Sequence, residues 1–110
     1  MFEGLIVRFE KDIRLGAHSV ELEVQRSMAG KELCDNASAA FPEVVAHLEQ
    51  LPSSGNNAVE QNVQAALAIL IARFGYSLRL DVPPRMRFGD KDGWVAWAKG
   101  VMAAGLPPKK

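Results

Sequence analysis

The sequence predicts an α+β fold: a small antiparallel or mixed sheet of three to four strands, with three to four helices packed on one face as a two-layer sandwich. Three stretches predict it. Residues 57–74 (NAVEQNVQAALAILIARF) read as one long apolar helix. Residues 19–25 (SVELEVQ) alternate strictly, with Val20, Leu22 and Val24 on one side and Ser19, Glu21, Glu23 and Gln25 on the other, the period of a half-buried strand. Residues 76–82 repeat the alternation, with Tyr76, Leu78, Leu80 and Val82 against Ser77, Arg79 and Asp81. Helices laid over one face of such a sheet bury all these stripes. A helical bundle with one stray strand is the alternative.

Residues 1–15 fit two periods. Phe2, Leu5, Ile6, Phe9 and Ile13 match helical spacing, while Leu5, Val7 and Phe9 against Arg8 and Glu10 match a strand. A strand at 19–25 needs a neighbour to satisfy its backbone groups, so residues 5–10 are read as its hairpin partner, joined through a turn containing Gly16.

Ser27 is placed to cap a helix starting at Met28, but Gly30, Asp35, Asn36 and Ser38 are poor helix-interior residues. The stretch 27–40 therefore reads as a short or irregular helix. Pro42 suits the first turn of the next helix, where its missing N–H costs nothing. That helix, residues 42–51, buries Val44, Val45, Leu48 and Leu51 and stops before Pro52.

In the long helix, Val59, Val63, Ala66, Leu67, Leu70 and Phe74 form the apolar stripe, and from Ala65 to Ala72 every residue is apolar. Asn57 and Glu60 approximate a capping box, and Gly75 is the expected left-handed residue just past the last turn. Pro83 and Pro84 end the strand that follows, and Arg85 to Phe88 alternate briefly again. Asp90 is the expected N-cap of the last helix, with Asp92 in its first turn; Gly105, Leu106, Pro107 and Pro108 read as its stop.

The 110 residues read as a single domain spanning 1–110, with 48% apolar and 24% charged residues and a net charge of zero. The longest apolar run has eight residues, well short of the roughly 20 that span a bilayer. Glu3 and Arg8 bracket only a short apolar run at the start, unlike a signal peptide. One cysteine, Cys34, leaves no internal disulfide and fits a reducing compartment, so the expected location is cytoplasmic. Charge is unevenly placed: residues 1–55 carry five bases against nine acids, and residues 56–110 carry eight bases against four acids. The split fits two halves that attract one another, or a basic partner-facing surface late in the chain.

No constellation of acid, base, nucleophile or metal ligands stands out. Cys34 has neither His18 nor His47 near it in sequence to act as a base. Glu43 and His47 are four apart on one helix face, but zinc needs three or four ligands. The string Asp90-Lys91-Asp92-Gly93 opens like a calcium loop yet lacks the later glycine and the distant glutamate. Phosphate-cradling glycine motifs are absent. No cofactor, metal or catalytic residue is therefore expected.

In the last helix, Trp94, Ala98, Val101 and Gly105 form an apolar stripe flanked by Trp97 and Met102. The opposite side carries Ala96, Gly100 and Ala103. Gly100 in mid-helix costs about 1 kcal/mol relative to Ala, which a close backbone approach from another element or a second chain would offset. Arg85, Arg87 and Lys91 supply charge for an acidic partner. These features lead to a small non-enzymatic protein-binding module of inhibitor, immunity or regulatory adaptor type that self-associates as a homodimer. Arg85, Arg87, Lys91, Trp97 and Gly100 are its expected partner-binding residues. Nucleic-acid binding through the basic C-terminal half and small-molecule binding are the alternatives. Zero net charge speaks against nucleic acid, and no membrane partner is expected.

Overall fold

The computed structural model describes residues 1–16, 19–51 and 58–106. These form six helices: α1 (Glu3–Leu15), α2 (Val20–Arg26), α3 (Met28–Asp35), α4 (Ala37–Gln50), α5 (Ala58–Ser77) and α6 (Lys91–Ala104). There is no strand among the described residues. The α+β sandwich is therefore corrected to an all-helical domain, and the reasons can be read residue by residue.

In α1, Ile6, Phe9 and Ile13 are buried, spaced by three and four, whereas Val7 is 52% exposed. A strand would have put Val7 on the same face as Phe9. In α2, Val20 and Val24 face inward one turn apart, and Leu22, their expected strand companion, is 43% exposed. End signals decide this segment. The Ser19 hydroxyl accepts from the Leu22 N–H at 3.3 Å, Glu21 and Glu23 stand in the first turn, and Arg26 stands in the last, an arrangement that favours a helix at both ends of its dipole.

Ser27 caps α3, its hydroxyl accepting from Gly30 N–H at 3.1 Å and donating to the Asp12 carboxylate at 2.9 Å. One side chain thereby ties α3 to α1. A Cβ at Gly30 would meet the Phe9 ring at 3.1 Å, so glycine there permits the close approach of the two helices. Helix α4 begins five residues earlier than expected, and Pro42 lies inside it. Proline at that position removes one helical hydrogen bond, yet Ala37, Ala40, Phe41, Val44, Val45 and Leu48 form an unbroken buried stripe across it. Burial of that stripe, at about 25 cal/mol per Å2, outweighs the single lost bond.

Helix α5 runs through the middle and contacts each of the other five helices. Its residues Ala66 to Ala72 are all buried. The expected Asn57 cap lies outside the described residues. At the other end the expectation is corrected: Gly75 is helical and buried, and Arg79 takes the left-handed conformation, with φ of 59°. Leu80 N–H donates to the Gly75 carbonyl at 2.7 Å and Arg79 N–H to the Tyr76 carbonyl at 3.1 Å, which is the Schellman pattern. The helix thus consumes the residues expected to begin the second strand, and residues 78–90 follow as irregular chain. Glycine at 75 serves packing, since a Cβ there would collide with Val82 and lie 3.1 Å from the Trp97 ring. Asp90 caps α6 as expected, accepting from Gly93 N–H at 3.1 Å, and Gly105 ends it at φ 94°. Pro107 and Pro108 lie outside the described residues.

Two substitutions test this cap. Arg79→Gly removes the left-handed penalty and raises stability by roughly 0.5–1 kcal/mol, a few degrees of Tm. Gly75→Ala improves helix propensity yet lowers stability by roughly 1 kcal/mol because Val82 must move. Thermal denaturation of Arg79→Gly distinguishes this arrangement from one capped by Gly75, in which glycine at 79 would lower stability; Gly75→Ala lowers it in both.

Candidate functional site

An aromatic series fixes residues 78–90 and α6 against the bundle. Phe88 stacks on Trp94 with centroids 5.6 Å apart, Trp94 meets Trp97 edge-on at 5.8 Å, Trp97 lies 6.3 Å from Phe41, and Phe41 lies 6.2 Å from Phe74. Such tilted and offset pairs add to plain apolar burial. The Trp94 indole N–H donates to the Arg87 carbonyl at 2.9 Å, so one tryptophan holds two consecutive residues of the loop, Arg87 by a hydrogen bond and Phe88 by stacking.

Phe88, placed in this way, lines a groove of about 490 Å3. Ile69, Ala72, Arg73 and Tyr76 supply its α5 side, spaced so that they share one helix face. Glu21 and Gln25 line it from α2, and Cys34 from the end of α3. Tyr76 is 65% exposed. Arg73 and Cys34 also line an adjoining pocket of about 260 Å3 together with Lys31, Asp35 and Leu70. Among the described residues Arg73 forms no ion pair or hydrogen bond. The groove has the size and mixed lining of sites that hold small organic molecules.

A second depression of about 530 Å3 lies between α1, α2 and α3. Leu15 and Met28, 75% and 73% exposed, stand at it with Arg8, Asp12, Glu23 and Arg26.

The five residues expected to bind a partner are distributed as follows. Arg85 and Arg87 are exposed on the irregular segment, and Gly100 is exposed on α6. No described atom would come within 4 Å of a Cβ at Gly100, and Ala96 and Ala103 on its side of the helix are exposed too. That side is therefore not wedged against another element among the described residues. Lys91 is buried at the start of α6, and Trp97 is half-buried within the aromatic series. The expected helix 57–74 contains Ile69, Ala72 and Arg73, but the strand expected at 76–82 separates Tyr76 from them, so the groove they line together is not foreseen. The signal was present: 69, 72, 73 and 76 follow helical spacing through Gly75.

Glu43 and His47 both turn toward α1, to different partners. The Glu43 carboxylate accepts from Phe2 N–H at 2.9 Å and pairs with the Met1 ammonium at 3.2 Å, while His47 Nδ1 lies 3.7 Å from Glu10. No cluster of three or more potential metal ligands occurs among the described residues, and His18 lies outside them. No helix among them is long and apolar enough to cross a membrane. Comparison with protein-family models, with curated proteins and with solved structures finds no match to this chain.

The Phe2 N–H holds the Glu43 carboxyl below the ordinary glutamate range, opposed by desolvation and assisted by the Met1 ammonium and His47. A lowered folded-state pKa means that the carboxylate stabilises the fold above the unfolded-state value and loses that contribution as pH falls through the folded-state value. The stability difference between the protein and its Glu43→Gln variant is thus full at neutral pH and closes only below the ordinary glutamate pKa of about 4.3. Urea denaturation of both across pH 3–7 measures it; a difference independent of pH would contradict this account.

Proposed function

We propose that the protein is a small, non-enzymatic cytoplasmic module that works by binding protein, and that its first partner is a second copy of itself. The observation that carries this reading is the surface formed by Leu15 on α1 and Met28 on α3, at the depression between α1, α2 and α3. Single exposed apolar side chains are ordinary on a monomer. Here two of the most exposed ones flank one depression. Apolar side chains ringed by charge match the core and rim of a protein interface. The rim carries both signs, Arg8 and Arg26 with Asp12 and Glu23, which suits a two-fold pairing in which the same patch meets itself. Leu and Met each contribute roughly 1.5–3 kcal/mol on full burial, more than the Ala and Gly side of α6 offers. The single cysteine supports the cytoplasmic placement.

Nucleic-acid binding through Arg85, Arg87 and Lys91 is less favoured, because Lys91 is buried and the net charge is zero. Sedimentation equilibrium is the test. The protein is expected to dimerise with a dissociation constant on the order of micromolar to tens of micromolar, and the double variant Leu15→Ser, Met28→Ser to be a monomer with unchanged helix content. A monomer at all concentrations contradicts the proposal. Loss of the dimer on Gly100→Leu, but not in the double variant, would move the interface to α6.

A further inference from the structure

The geometry points to the groove between α2, α5 and residue Phe88 as a binding site for a small organic acid with an aromatic body, its carboxylate held by Arg73. This inference stands independently of self-association, which concerns a different set of residues around Leu15 and Met28.

Three observations carry it. The first is the lining. Ile69 and Ala72 form an apolar floor, Tyr76 and Phe88 provide two aromatic rings, and the Cys34 thiol adds a polarizable apolar contact. Mostly apolar walls with a few placed polar groups are what small-molecule sites share, and about 490 Å3 lies within their usual range. The second is charge. Among the described residues Arg73 is the only cation that lines the groove, and its side chain has neither an ion pair nor a hydrogen bond. Its planar fork of donors fits a carboxylate in bidentate fashion. Glu21 also lines the groove, from the α2 side, and repels an anion there; the ligand carboxylate is thereby directed to the α5 side. Lys31, in the adjoining pocket that shares Arg73, adds a second cation near that end, opposed by Asp35.

The third is preorganisation. Phe88 is stacked on Trp94, and the Trp94 indole is anchored to the Arg87 carbonyl. The α5 residues sit on the most buried helix of the domain. A site whose walls are fixed before binding loses little freedom when a ligand enters.

The test is an NMR titration with 4-phenylbutyrate, monitoring amides and methyls of the full chain. Saturable shifts are expected at Ile69, Ala72, Tyr76 and Phe88, with saturation below about 10 mM. 4-Phenylbutanol, which keeps the ring and chain but lacks the charge, is expected to bind at least about tenfold more weakly. Arg73→Gln is expected to weaken the acid by a similar factor and leave the alcohol unchanged, while Arg73→Lys retains part of the affinity. Thermal melting of the variants confirms that each is folded, and the alcohol reports groove integrity separately from charge. The inference is overturned if no saturable shifts appear, if they fall outside the groove, if acid and alcohol bind alike, or if Arg73→Gln leaves the acid's affinity unchanged. Binding of an acidic aromatic peptide, with none of 4-phenylbutyrate, overturns it in favour of a protein partner.

Discussion

Burial of the middle of α5, where every residue from Ala66 to Ala72 is withdrawn from solvent, is the constraint on which the rest of the molecule depends. A helix with apolar residues on every side has no face to give to solvent and must be surrounded. Twenty residues at about 1.5 Å each make a rod roughly 30 Å long, and α1, α2, α3, α4 and α6 all pack on it. The small residues Ala66, Ala68 and Ala72, and Gly75 near its end, let neighbours approach closely; Leu67, Leu70, Ile71 and Phe74 fill the space between. Gln64 is the polar side chain buried on this helix, and it is hydrogen-bonded or otherwise partnered, as a buried amide must be. A sheet could not satisfy the same demand with this sequence, because it covers only one side of a helix.

The end of α5 couples this core to the surface. Arg79 turns the chain out of the helix and Val82 returns over Gly75, so that residues 78–90 double back across the bundle before α6 begins. The run of rings from Phe88 to Phe74 then joins that segment to α4 and α5. Irregular chain is usually the mobile part of a domain. Here it is pinned by stacking and an indole hydrogen bond, which is why it can furnish one wall of a groove whose other wall is α5 itself.

Much of this was legible in the sequence, and the rest was lost at identifiable points. The long apolar helix, the Ser27 and Asp90 caps and the Gly105 stop follow from local chemistry that tertiary contacts do not alter. The strands failed because seven alternating residues at 19–25 satisfy two periods at once: Val20 and Val24 belong to both a strand face and a helix face. Only Ser19, with acids behind it and Arg26 at the far end, separates the two. Gly75 misled in a different way. Glycine marks either a left-handed turn or a close contact, and only the position of Val82, seven residues later, shows which. Reading Gly75 as an end cut α5 before Tyr76 and thereby left out the ring that completes the face of Ile69, Ala72 and Arg73. The expected partner-binding set divided similarly: Arg85, Arg87 and Gly100 are exposed, whereas Lys91 and Trp97 are drawn inward by the packing of α6, which no local pattern encodes.

If α5 is the element around which the domain is assembled, its amides should open only when the whole molecule unfolds. Native-state hydrogen exchange measures this directly. Amides of Leu67, Ile69, Leu70 and Ile71 are predicted to exchange with the free energy of global unfolding and with its denaturant dependence, while those of α2 and the outer turns of α6 exchange through smaller openings. Protection in α5 lower than in α1 or α4 would show that another helix pair forms the stable nucleus and would contradict this account.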